Sequence, residues 1–280
     1  MVYGPKDEEE TKKVAELRKV AETLPHYNAE WVSDMTLTRY LRANELNIGP
    51  AAKQLEQGLE WRSTPEHAHP CQACVANPQS HDMRIVGMTP DGRAVLYTSF
   101  ASALHRFDAN KNSAHLSWVS LQAERILDSQ KRHHQWVSVI DFHGFSAWDC
   151  NPASAMMAAK LLSQFPERLN ASILVDSPRV FSPIWKALKP MLKAATANKI
   201  SFVKRKVCLQ KFEELGIGEE MIKWLGKEME VNRTSAAHKG EGRKYWVVDD
   251  ERGHDPRGAE SCCWRTSSEH KFQLEGLIAA

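Results

Sequence analysis

Hydrophobic residues in the first part of the chain recur every three to four positions: Val14, Leu17, Val20 and Leu24, then Leu37, Tyr40 and Leu41, then Ala52, Leu55 and Leu59. That period places each set on one face of a helix. Ser33 stands where an N-cap acceptor is wanted, and Pro50 suits a first helical residue, because proline has no N–H to leave unpaired. Helices this short with a single apolar face need a surface to pack on. The pattern predicts a helical lobe over residues 1–66 that braces a larger body.

Beyond a polar connecting loop, 67–82, the period changes. Asp91-Gly92 lies between two apolar runs and predicts a hairpin. "QWVSVIDF", ending at Phe142, and "ASILVDS", starting at Ala171, read as nearly continuous apolar strands of the kind covered on both faces, and "ISFV" from Ile200 closes the series. Between them come three helical patterns: one with Leu116, Val119, Ala123, Ile126 and Leu127, one over about 152–165, and one through Trp185 and Leu188. Strand and helix alternation of this kind argues for an α/β lobe over 83–230 with crossover helices. Residues 231–280, rich in Gly, Ser, Arg and Glu, read as an irregular tail.

Composition narrows the class. A chain of 280 residues, 42% hydrophobic, can bury a substantial core. Its formal charge of +2 gives no global attraction to nucleic acid, so no nucleic-acid partner is expected. Met1 is soon followed by the acidic run Asp7–Glu10, unlike a signal sequence, and no window approaches the roughly 18 apolar residues of a membrane span. Six unevenly spaced cysteines suit a reducing compartment. These features predict a soluble cytoplasmic protein. Charge is nevertheless clustered: Arg179 to Lys211 holds nine cations and no acid. Phe181, Ile184, Trp185, Leu188, Met191 and Leu192 alternate there with Lys186, Lys189 and Lys193. A basic amphipathic segment of this composition suits an anionic membrane surface, each cation adding about 1 kcal/mol. The plainer alternative is a surface helix with a solvated lysine face.

The tools of catalysis are missing. No strand is followed by a phosphate-cradling glycine motif, and the stretch around Ser146, "GFSAW", lacks the second glycine of a nucleophile elbow. His67, His69, Cys71, Cys74 and His81 have the residue types of a zinc site, but the second half of a finger is absent, so no metal is expected there. Cys262-Cys263 lacks the neighbouring helix or basic anchor of a lipidated pair. The chain is expected to be no enzyme.

"LTRYLRANEL", "GLEWR", "DGRAVLY", "VSVIDFHGFS", "FPERLNASILVDSPRVFSPIWKALKPML" and "NKISFV" follow one another as in the CRAL-TRIO lipid-binding family, and the chain resembles its secretory-pathway phosphatidylinositol/phosphatidylcholine transfer proteins. The resemblance implies an α/β fold: an all-helical N-terminal lobe and a mixed sheet flooring a hydrophobic lipid cavity, closed by a helical gate at Pro183–Ala195. It implies one bound phospholipid, phosphatidylinositol favoured and phosphatidylcholine second, no other cofactor, a transient anionic membrane partner, a phosphoinositide kinase as a further partner, and a monomer. Carried over by position, Glu167 would meet the inositol hydroxyls, and Thr196 and Lys199 the head-group phosphate. Ser146 matches a hydroxyl of the choline-type site. Tyr97, Trp118, Phe142 and Phe145 are candidate cavity walls or plain core, and Ile184, Trp185, Lys186, Leu188, Lys189, Leu192 and Lys193 are the membrane-contacting gate. Two departures stand out. Asn44-Glu45 replaces an Arg-Lys pair that helps hold inositol phosphate, and Trp148 stands where a small residue belongs, which weighs against choline lipids. The competing reading is a scaffold or small-GTPase regulator whose cavity is filled by side chains.

Overall fold

The computed structural model describes residues 3–64, 71–73, 80–100 and 108–234. Three helices form the N-terminal lobe: α1 (Glu8–Ala21), α2 (Asp34–Arg42) and α3 (Ile48–Ser63). Asp7 caps α1 by accepting from the Glu10 N–H at 2.8 Å, and Ser33 caps α2 by accepting from the Thr36 N–H at 3.2 Å. Pro50 is the third residue of α3, not its first. It is still within the turn whose N–H groups have no helical partner, so the helix tolerates it. Leu17, Leu37, Leu41 and Leu55 fill the lobe's own core.

A five-stranded sheet follows: β1 (Arg84–Met88), β2 (Ala94–Ser99), β3 (Trp136–Asp141), β4 (Leu169–Val175) and β5 (Ile200–Val203), in that spatial order. β1 and β2 form the expected hairpin, with Gly92 in the left-handed region at φ 96°. The other pairs are parallel. The connections run through α4 (Ala109–Gln130), α5 (Pro152–Ser163), α6 (Ser182–Leu188) and α7 (Ala194–Ala197). Each parallel step moves the same way across the sheet, so right-handed crossovers place these helices on one face. Helices α8 (Arg205–Glu214) and α9 (Glu219–Val231) cover the other.

The pleat then divides the side chains. Val95, Tyr97, Val137, Val139, Ile173 and Val175 pack against Phe212, Trp224 and Leu225. Leu96 and Trp136 face Val119, Ala123 and Leu127 of α4. Tyr97 is therefore core on the face away from the crossovers and not a cavity wall; its ring meets Trp224 edge-on at 6.2 Å. Trp118 is likewise buried in the α4 core.

Two polar clusters fasten this body. Arg168, fully buried ahead of β4, binds Glu124 at 3.1 Å and Asp128 at 2.7 Å, both on α4, and Arg62 of α3 reaches Glu124 at 2.9 Å. Removing one partner from such a buried set typically costs about 3–5 kcal/mol, because a charge is left uncompensated. At the end of α9, Asn232 is buried and donates to the Tyr97 hydroxyl, while Arg233 holds Asp141 at 2.8 Å. The first residues of the expected tail thus belong to the packed body; residues 235–280 lie outside the described residues.

Candidate ligand-binding site

Between the sheet and its crossover helices lies a cavity of about 350 Å³. Its floor is set by strand alternation: Ser138 and Ile140 from β3, Ser172 and Leu174 from β4, and Ile200 from β5. Met157, Leu161 and Leu162 of α5 form one wall. Phe181, Trp185, Leu188 and Leu192 form the roof, with the Trp185 ring edge-on to Phe202 at 5.3 Å. The interior is dominated by hydrocarbon, as a site for an apolar ligand requires. Polar side chains collect at one end: His81, Asp82, Ser99, Asn112 and His115.

The roof is not the single helix expected from Pro183 to Ala195. α6 ends at Leu188, Lys189–Met191 make one 3-10 turn, and Leu192 is extended at φ −92°, ψ 142° before α7 begins. Pro190 explains the break, since it has no N–H to continue the ladder and its ring crowds the preceding turn. The segment still turns Trp185, Leu188 and Leu192 inward and leaves Lys186 and Lys189 exposed. Ile184 is half-buried outside the cavity lining, and Met191 is exposed. Lys193 is exposed as well, but it is also tied to the N-terminal lobe. Its ammonium donates to the Asn44 side-chain oxygen at 3.0 Å, to Gln54 Oε1 at 3.3 Å and to the Ala43 carbonyl. Burial lowers its pKa, opposed by the carboxylates of Glu167 and Glu45.

Glu167 and Lys199 come together, with Oε2 and Nζ 3.5 Å apart. Glu167 has φ 60°, and this left-handed residue at the head of β4 lets Glu167 and Arg168 serve different places. Glu167 stays half-buried by Lys199, while Arg168 enters the buried ion cluster. Thr196 sits one turn before Lys199, whose N–H donates to the Thr196 carbonyl at 3.1 Å. These three residues do not line the cavity, but Leu169, two residues after Glu167, and Ile200, next to Lys199, do.

Of the remaining candidates, Phe142 lines the cavity and stacks obliquely on Phe181, ring centres 4.8 Å apart. Phe145 packs behind it, 5.1 Å from Phe142. Ser146 does not face the cavity: its N–H and hydroxyl both donate to Asp149, at 2.7 and 2.8 Å, closing a short turn. Trp148, expected to crowd a head-group site, is 85% exposed on that turn. His67, His69, Cys74, Cys262 and Cys263 lie outside the described residues. Missed by sequence reasoning were the polar cavity end and the arginine cluster, whose members lie far apart in the chain.

No helix among the described residues is long and apolar enough to cross a membrane. Comparison with known proteins agrees with the geometry. One solved structure, described as the crystal structure of Sfh5, superposes with a TM-score of 0.56 at 14% identity, covering 74% of this chain and 84% of that one. At that identity the likeness is one of fold. No curated protein matches the chain significantly. The family model for the CRAL/TRIO domain matches residues 83–221, which span the whole sheet, the roof and the cavity lining except His81 and Asp82. The chain therefore carries a CRAL/TRIO domain.

Proposed function

We propose that the protein binds one phospholipid, with phosphatidylinositol favoured, in the cavity beneath α6 and exchanges it at membranes, acting by binding and not by catalysis. The observation that carries this reading is the hydrocarbon-lined space between Ile140, Leu174 and Ile200 below and Trp185, Leu188 and Leu192 above, within a CRAL/TRIO domain. Each methylene sheltered there is worth about 0.8 kcal/mol, and shelter of that kind lets a lipid tail leave its bilayer. The open interior speaks against a scaffold whose cavity is plugged by its own side chains.

Glu167 and Lys199 supply complementary chemistry for a polyol phosphate at the rim. A carboxylate accepts from hydroxyls and an ammonium donates to phosphate, and the two groups lie 3.5 Å apart. Membrane contact falls to the roof and its borders. Lys186 and Lys189 are exposed there, as are Val180 just before α6 and Met191 just after it. The Trp148 turn adjoins them, with Cys150 Sγ 3.6 Å from the Val180 carbonyl.

Native mass spectrometry of gently purified protein, followed by lipid extraction, tests the reading directly. One phospholipid per chain is expected, together with transfer between vesicles. A lipid-free protein that moves no lipid would overturn it.

A further inference from the structure

At the polar end of the cavity, three buried residues from separate segments meet. Cys71 lies in the short described stretch 71–73, His81 just before β1, and His115 on α4. Their donor atoms all lie within 4.8 Å of one another. Cys71 Sγ is 3.5 Å from His81 Nδ1. A thiolate and an imidazole nitrogen bound tetrahedrally to one zinc ion stand about 3.6 Å apart, given bonds of roughly 2.3 and 2.1 Å. One edge already has that spacing, and the longest needs to close by about 1 Å to match it.

The surroundings orient the ligands. His115 Nε2 lies 2.7 Å from the Met83 carbonyl, which accepts only if the proton is on Nε2. That tautomer puts the ligating lone pair of His115 on Nδ1, and the His115 ring is within hydrogen-bond reach of the Cys71 thiol that would share the ion. The His81 and His115 rings lie nearly parallel, centres 4.7 Å apart, so one imidazole must tilt for both lone pairs to point at one ion. Asp82 adjoins the cluster but is committed elsewhere, taking the Arg84 guanidinium and the Ser99 N–H.

We propose that Cys71, His81 and His115 form a zinc-binding site in the wall of the cavity, with the fourth coordination position open to its interior. The ligand set narrows the metal: one thiolate with two imidazoles suits zinc, and copper too, and disfavours calcium, magnesium and manganese, which prefer oxygen. Binding releases the thiol proton to solvent and forms the zinc–sulfur bond, so no oxidant or reductant is needed. His81 and His115 both line the cavity, so a fourth ligand such as water can reach the ion from it. The site is independent of which lipid the cavity holds.

The test uses the full chain, loaded with zinc sulfate and dialysed against metal-free buffer, with metal measured by plasma mass spectrometry. About one zinc per chain is expected. Cobalt in its place should give a thiolate-to-cobalt charge-transfer band that Cys71→Ser abolishes. Loss of an orienting partner alone weakens metal sites by about 10–100-fold, so Cys71→Ser and His115→Gln should each raise the zinc dissociation constant by at least about tenfold. Cys74→Ser should leave it unchanged. Zinc that washes off the unaltered protein, a cobalt spectrum without the thiolate band, or binding lost with Cys74→Ser but kept with His115→Gln would each overturn the assignment. If His115→Gln fails to fold, the cobalt spectrum of Cys71→Ser decides.

Discussion

The Lys193 ammonium lies 3.0 Å from the side-chain oxygen of Asn44, tying the segment that follows the cavity roof to the N-terminal lobe. Asn44 is itself held, its amide donating at 2.8 Å to both the Tyr40 carbonyl and Gln54. A neutral acceptor at this position makes the tie possible, because a cation there would repel the lysine. Asn44→Arg should release the strap. Vesicle-to-vesicle lipid transfer is expected to quicken several-fold, with a stability loss of no more than about 1 kcal/mol, since exposed polar pairs contribute little. An unchanged transfer rate would show that the strap does not limit exchange.

Lys199 pairs with Glu167 across 3.5 Å in a partly exposed setting. Lys199→Ala should cut phosphatidylinositol loading while changing thermal stability by less than about 0.5 kcal/mol. Lipid extraction with calorimetry on the same sample checks both halves. An equal loss of every lipid class would move the role of Lys199 from head-group recognition to membrane docking.

Lys186, Lys189 and Lys193 are all exposed, and Lys193 alone of the three is also hydrogen-bonded to Asn44 of the N-terminal lobe among the described contacts. Reversing Lys186 and Lys189 to Glu should weaken partition onto anionic vesicles by at least about tenfold at low salt, at roughly 1 kcal/mol per charge. The difference should shrink as salt is added. Vesicle co-sedimentation at two ionic strengths measures it, and a deficit that ignores salt would rule out a surface-charge origin.

Burial would push the Glu124 carboxyl upward, but Arg62, Arg168 and Arg39 outweigh it and hold its pKa at about 2, below the ordinary 4.5. A carboxylate depressed in the folded state stabilises above its unfolded pKa, and that contribution is lost as pH falls through the folded value. Melting temperature should therefore decline from about pH 4.5 toward pH 2. Glu124→Gln should flatten this acid limb and cost about 3–5 kcal/mol at neutral pH, because three guanidinium groups lose their shared partner. An unaltered acid limb would place the titration elsewhere.

Much of the sheet was legible because its signals are local. Asp91-Gly92 marks the hairpin, and "ISFV" coincides with β5, Ile200–Val203. Ser33 caps its helix as its residue type suggests. What escaped depends on face or on distant contact. An apolar run such as "AVLYTS" gives no alternation by which to tell inward from outward, so Tyr97 was as good a cavity wall as Leu96 until α8 and α9 covered its side. Arg168 looks like a turn residue, and only the fold brings Glu124 and Asp128 to it. His115 reads as one more polar helix position, and nothing local links it to Cys71. The kink at Pro190 could have been foreseen from proline chemistry, but the family resemblance carried a continuous helical gate through it.

The one-sided layout of the crossovers sorts positions by parity. Along β2 to β5 the even-numbered residues Thr98, Ser138, Ile140, Ser172, Leu174 and Ile200 border the chamber, joined at the strand ends by Ser99 and Leu169, while the odd-numbered Val137, Val139, Ile173 and Val175 are locked into the opposite layer. Natural variation or engineering can therefore resize the guest compartment by trimming or enlarging the even set, without disturbing the scaffold that the odd set maintains.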